Sequence, residues 1–221
     1  MKKNKNILII GGLAILVMVL MFVFRPVGDG ENYPLPAEAP TPVEIAADDQ
    51  TKGNPDSTVV LVEYSDFECP ACASYWPMLT ILAEMYEDEM LFVYRHFPLT
   101  SIHRNAHLSA RAAEAAGRQG AFWEMHDMIF DNQIAWRSRN GRPFFISYAE
   151  DLGLDIVQFE ADLESEEIIT KVQRDLASGL NAGVGGTPTF FINGQQIQNP
   201  GSLDEFVALI DSYLTDTNET E

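Results

Sequence analysis

Cys69 and Cys72 are the two cysteines of the 221-residue chain, and Pro70 and Ala71 separate them. That spacing suits thiol–disulfide exchange. A thiolate rather than a thiol attacks a disulfide, so a working cysteine needs its pKa brought down from about 8.5 toward neutrality. A helix N-terminus does this, because its free N–H groups and dipole favour negative charge. Cys69 follows a strand-like run and a short turn, Pro70 fits the first helical position, and Cys72 lies three residues on, within reach of Cys69. Cys72 could therefore displace a partner captured by Cys69. As a structural staple the pair would close a tiny loop and remove little chain entropy. A zinc half-site is the competing reading. It would have to be completed from His96, His103, His107 or His126.

Two further places could serve such chemistry. Glu63 stands six residues before Cys69 on the strand that leads to it. A carboxyl buried there would have a raised pKa and could pass protons to or from Cys72, whereas a strand-edge acid in water would do neither. Thr187-Pro188 opens a later strand-like run, where a cis bond would turn the Thr187 backbone toward a substrate peptide and a trans bond would be ordinary. Trp76, Trp123 and Trp136 read as core or groove lining rather than as a cofactor box.

The elements that must position these residues follow from periodicity. Val59–Tyr64 is short, β-branched and apolar, the pattern of a buried strand. Apolar residues at 76, 79, 82, 83 and 86 predict a helix over 73–88 with one buried face, and Leu91–Tyr94 a second strand. Residues 104–181 read as helical, with helices at 121–132, 145–152, 155–163 and 165–181 and caps at Asp155 and Ser165. Thr189–Ile192, a turn at Asn193-Gly194 and Gln195–Ile197 form a hairpin, and Ser202 caps a last helix reaching about Leu214. The order predicts an α/β fold with a helical insertion between the second and third core strands.

The N-terminal quarter has a different character. Ile7–Phe24 is a run of 18 apolar or glycine residues, about 27 Å long as a helix and so near bilayer thickness. Lys2, Lys3 and Lys5 precede it, which predicts a cytoplasmic segment 1–6, a membrane anchor 7–24 and an extracytoplasmic remainder. A cleaved signal peptide fits less well, because the run ends in Phe24-Arg25-Pro26 without a small-residue cleavage site. Residues 25–50 are acidic and proline-rich and predict an extended spacer. The folded domain is expected over 51–216, with a polar tail at 217–221. After Arg25, 10 bases face 33 acids, which argues against nucleic acid as a partner.

In order along the chain, Gly53-Asn54-Pro55-Asp56, Tyr64-Ser65-Asp66-Phe67-Glu68-Cys69-Pro70-Ala71-Cys72, Tyr94-Arg95-His96-Phe97-Pro98-Leu99, Gly120-Ala121-Phe122-Trp123-Glu124-Met125 and Gly186–Gly194 resemble the thioredoxin superfamily, and within it the DsbA-like branch. The resemblance covers roughly Asp48 to Leu214. It implies a thioredoxin-like fold, with Cys69 as exposed nucleophile, Cys72 as buried resolving thiol, Glu63 as buried acid and Thr187 with cis-Pro188 as the loop facing the cysteines. It implies no cofactor beyond the redox pair and no metal. Reduced secreted proteins would be the substrates, and a membrane reoxidant of DsbB or VKOR type the recycling partner. Pro70 and Ala71 are the redox-tuning dipeptide. Well-known members of the branch carry Pro-His there, and Ala71 lacks the histidine's influence on the thiolate, so a potential less oxidising than about −120 mV is expected. Three readings follow: a disulfide-donating oxidase, a reductase or isomerase of the same compartment, and a metal-binding or chaperone-like module with non-catalytic thiols.

Overall fold

The computed structural model describes residues 35–36, 39–42 and 44–218, the last three as backbone only. The expected cytoplasmic segment 1–6 and anchor 7–24 lie outside the described residues. No helix among the described residues is long and apolar enough to cross a membrane.

One mixed sheet orders the fold. Its strands β1 (Gln50–Gly53), β2 (Val59–Ser65), β3 (Met90–His96), β4 (Thr189–Ile192) and β5 (Gln195–Gln196) lie in the order β1-β3-β2-β4-β5. β2 and β3 are parallel and are joined through helix α1 (Pro70–Met85), while the other pairings are antiparallel. Between β3 and β4 come helices α2 (Ala106–Gly117), α3 (Phe122–Asp131), α4 (Gln133–Trp136), α5 (Arg142–Asp151), α6 (Ile156–Leu163) and α7 (Glu166–Asn181). Helix α8 (Leu203–Asn218) follows the hairpin. The α/β order with a helical insertion expected from the sequence is therefore the order found.

β2 reads as a continuous apolar run because both its faces are covered. Strand alternation sends Val59 and Leu61 to one side, where they pack with Leu82 of α1 and Phe206 and Ile210 of α8. Val62 and Tyr64 go to the other side, with Val93 and Phe97. A separate core joins the insertion to the turn before α1, with Phe67 packed among Met125, Ile129, Trp136 and Phe145.

Three features depart from the sequence reading. Edge strand β1 is polar (QTKG) and carries no apolar alternation, so periodicity passed over it. It is held by register with β3, Gln50 opposite Tyr94 through Gly53 opposite Leu91, and Gly53 has φ +91° with no room for a Cβ against the Met90 carbonyl. Helix α1 begins at Pro70, the first helical position expected for it, with Cys69 as its extended N-cap residue, but it ends at Met85 rather than at 88. Of the three expected caps, Asp155 accepts from the Gln158 N–H at 3.0 Å and the Ser202 hydroxyl from the Glu205 N–H at 3.3 Å, whereas the Ser165 side chain makes no capping bond.

The acidic spacer expected through Gln50 ends earlier, because residues from Pro40 onward dock on the domain. Arg95 is fully buried at the C-terminal end of β3, and a buried guanidinium needs acceptors for its five N–H groups. The strap supplies them: Asp49 takes Nη2 at 2.7 Å and Nε at 3.2 Å, and the carbonyls of Thr41 and Glu44 accept from Nη1 and Nη2. The Ser178 hydroxyl donates to the Pro40 carbonyl, and Arg174 pairs with Asp48.

Candidate active site

Cys69 and Cys72 sit where β2 passes into α1. Asp66 organises the turn between them: its carbonyl accepts from the Cys69 N–H at 3.0 Å and its Oδ1 from the Glu68 N–H at 2.8 Å. Its Oδ2 receives the Leu99 N–H at 2.9 Å and lies 2.8 Å from His103 Nδ1. Gln133 of α4 secures the turn from the insertion side, its Nε2 donating to the carbonyls of Phe67 and Cys69 at 2.8 and 2.9 Å. The first turn of α1 is thus fixed from both flanks.

The two thiols are free, and burial separates their chemistry. Cys69 is 7% exposed and Cys72 fully buried. The Cys69 pKa is lowered to about 5, first by the hydrogen bond from the Cys72 thiol, with Thr187 and the N–H groups of Cys72 and Ala71 adding to it against the opposing effect of burial. Burial pushes the Cys72 thiol well up, and the neighbouring Cys69 and Glu63 push it further. In its protonated form Cys69 donates to the Thr187 carbonyl at 3.4 Å, and the Thr187–Pro188 peptide is cis. Pro70 and Ala71 lie exposed between the sulfurs.

Glu63 is buried on β2, facing Tyr94 of β3 and Phe190 of β4. Burial raises its pKa to about 8, the Ser65 hydroxyl opposes the rise, and a charged Cys69 adds to it. A cavity of about 10 Å³, room for roughly one water, is lined by Glu63, Lys52, Trp76, Thr80, Trp123 and His126. Lys52 lies 4.4 Å from the Trp123 ring centre. His126 is buried, with Nδ1 2.8 Å from Asp127 Oδ1, which also accepts from Trp76 Nε1 at 2.9 Å.

All the sequence-derived site residues, Glu63, Cys69, Pro70, Ala71, Cys72, Thr187 and Pro188, thus lie around one turn and the loop facing it. Sequence reasoning gave no role to Asp66 or Gln133, weighed His103 and His126 only as zinc ligands, and missed Lys52 and Thr80 in the lining of the Glu63 cavity. Tyr94 was within reach of it, since strand register alone places Tyr94 beside Glu63. Gln133 carried no local signal. The four histidines weighed as zinc ligands do not gather on the cysteines. Among the described residues the cluster with metal-ligand spacing is His96, Glu114 and Asp175, and there the Lys171 ammonium already lies 2.6 Å from Asp175 and 3.8 Å from Glu114.

A parallel β2-α1-β3 unit, an antiparallel β4 and a CxxC pair at the start of α1 define a thioredoxin-type site. A family profile described as Thioredoxin matches residues 46–212, and the chain belongs to that family. Among solved structures, α-DsbA1 from Wolbachia pipientis superposes with a TM-score of 0.69 at 20% identity, over 80% of this chain and 96% of that one. BdbD from Bacillus subtilis superposes with a TM-score of 0.64 at 21% identity, over 75% and 92%. The fold is therefore that of DsbA-like proteins. Curated relatives include the Na(+)/H(+) antiporter NhaA of Herminiimonas arsenicoxydans, 37% identical over 190 residues, 86% of this chain and 29% of that protein. NhaA 3 of Salinispora tropica is 37% identical over 73% of this chain and 24% of its own. The chain spans about a quarter to a third of the length of these relatives.

Proposed function

We propose that the chain is an extracytoplasmic, membrane-tethered thiol–disulfide oxidoreductase that donates its Cys69–Cys72 disulfide to reduced secreted or membrane proteins. The observation that carries this reading is the asymmetry of the two sulfurs, one held down to about 5 in a residue 7% exposed, the other fully buried and pushed well up. A low-pKa Cys69 is a good leaving group, and its thiolate stabilises the reduced enzyme, which makes the disulfide a strong oxidant. Membership of the thioredoxin family and the DsbA-like fold support the same reading.

The cycle balances as follows. A substrate thiolate attacks the Cys69 sulfur, the Cys69–Cys72 bond breaks, and Cys72 leaves with the electron pair. Glu63, protonated at neutral pH, hands Cys72 a proton. A second substrate thiolate then attacks the substrate sulfur of the mixed disulfide, and Cys69 departs as a thiolate. Two electrons pass from substrate to enzyme, and a quinone-linked membrane partner of DsbB or VKOR type returns the pair to its oxidised form. No cofactor or metal enters the cycle. The transport named for the antiporter relatives is not carried over, since the matched region is a minor part of their length.

Ala71 in place of the histidine of strongly oxidising relatives favours a second reading, a reductase or isomerase in the same compartment. Equilibrating the full chain with glutathione buffers separates the two. A potential near that of thioredoxin, about −270 mV, removes the oxidase reading.

A further inference from the structure

The chain carries a large excess of acids, yet the arginines outside ion pairs among the described residues lie on two neighbouring segments. Of the ten bases after Arg25, six form ion pairs among the described residues: Arg95, Arg111, Arg118, Arg142, Lys171 and Arg174. Lys52 lies over Trp123. The other three, Arg104, Arg137 and Arg139, form no ion pair with a described residue, and Arg104 and Arg139 are exposed.

One side chain ties the backbone of the segment that carries Arg137 and Arg139 to the segment that carries Arg104. Asn105 donates through Nδ2 to the carbonyls of Arg137 and Arg139 at 3.3 and 3.0 Å, and its own N–H donates to Glu68 Oε2 at 2.6 Å. Glu68 precedes Cys69, and Gln133, at the start of the same insertion segment, holds the Cys69 carbonyl. The two segments that carry the arginines therefore border the nucleophile. Each also presents an isoleucine to solvent, Ile102 at 72% and Ile134 at 87% exposure. On segments that border Cys69, these two side chains offer apolar contact area to a bound chain.

We infer that this rim, Ile102, Arg104, Ile134, Arg137 and Arg139, receives acidic, apolar polypeptide flanking the cysteine that Cys69 engages. The inference rests on the oxidoreductase reading and names the substrate chemistry it selects. Guanidinium forks match carboxylates, and the two isoleucines add apolar contact between them. An acidic chain is repelled by the rest of a surface with so many carboxylates, so charge alone steers it to the rim and sets its orientation. A polypeptide fits better than a bilayer, because Cys69 is only 7% exposed, its sulfur hydrogen-bonded to the Thr187 carbonyl, and a slender strand can reach it.

The test follows reduction of the oxidised full chain, held in phosphatidylcholine nanodiscs, by single-cysteine peptides flanked with Asp and Leu or with Lys and Leu. Each rate is divided by that peptide's rate with the neutral hydroxyethyl disulfide, which removes differences in thiol reactivity. The acidic peptide is expected to react about tenfold faster at low salt, with the advantage lost at high salt. Replacing Arg104, Arg137 and Arg139 by Gln brings the ratio near one, and replacing them by Glu inverts it. Equal normalised rates in the native protein overturn the inference. So does a ratio untouched by the Glu variant, or an arginine-dependent hydrogen-exchange protection of residues 98–105 and 133–141 that appears only in phosphatidylglycerol discs and marks a lipid-facing surface. Failure of dithiothreitol to reduce the Cys69–Cys72 bond of the native protein sinks the oxidoreductase reading instead.

Discussion

Gln133 donates to the carbonyl of Cys69 at 2.9 Å across 64 residues of chain, joining the helical insertion to the first turn of the redox helix. The same amide donates to Phe67. Replacing Gln133 by Leu leaves the buried Phe67 carbonyl without this donor, while the Cys69 carbonyl keeps the Ala73 N–H at 3.2 Å. The expected loss is about 1–3 kcal/mol of stability, read as a lower urea midpoint.

The pH dependence of Cys69 alkylation reports its ionisation directly. With its pKa held to about 5, first by the Cys72 thiol, iodoacetamide reacts at a nearly constant rate from neutrality down to about pH 6 and at half that rate near pH 5. Cys72→Ala removes the strongest stabilising bond and moves the midpoint upward. A midpoint above about 8 in the native protein would contradict activation at the helix terminus.

Glu63 lowers stability where it ionises. Its folded pKa is raised from 4.5 to about 8, so above pH 4.5 the unfolded chain gives up this proton first and folding becomes less favourable until pH 8. Glu63→Gln abolishes the dependence. Relative to the native chain the variant gains on the order of 3 kcal/mol between about pH 4 and pH 7, measured by denaturation at both values. The same substitution slows formation of the mixed disulfide, because the departing Cys72 loses its proton donor.

Asp49 belongs to the strap, and its carboxylate and the Arg95 guanidinium are both fully buried. Asp49→Ala strands a charged side chain in the interior and lowers the unfolding free energy by about 3–5 kcal/mol. A fragment beginning at Thr51 lacks the whole strap and melts earlier than one beginning at Pro40, as calorimetry of the two would register.

Local patterns made the sheet centre and the redox pair legible. β2 and β3 announce themselves as apolar runs because both faces are covered, and Cys69-Pro70-Ala71-Cys72 carries its chemistry in its own spacing. β1 was invisible because an edge strand of Gln, Thr, Lys and Gly is chosen by its partner rather than by its own apolar content. The strap was misread for a related reason. Its sequence is that of a solvated spacer, and only a buried arginine 46 residues away gives its carbonyls and Asp49 a reason to dock. Gln133 and Asn105 act through backbone carbonyls, which have no sequence signature.

The mutual influence of Glu63 and Cys69 ties electrons to protons inside the sheet. Each raises the energy of the other's anion, so the carboxyl binds its proton more tightly when Cys69 is a thiolate than when the sulfurs are bonded. Each electron pair that enters the cysteines thus tightens the hold on a hydrogen ion beneath them. The carboxyl stretch in the infrared becomes a spectator band from which the oxidation state of the sulfurs can be read.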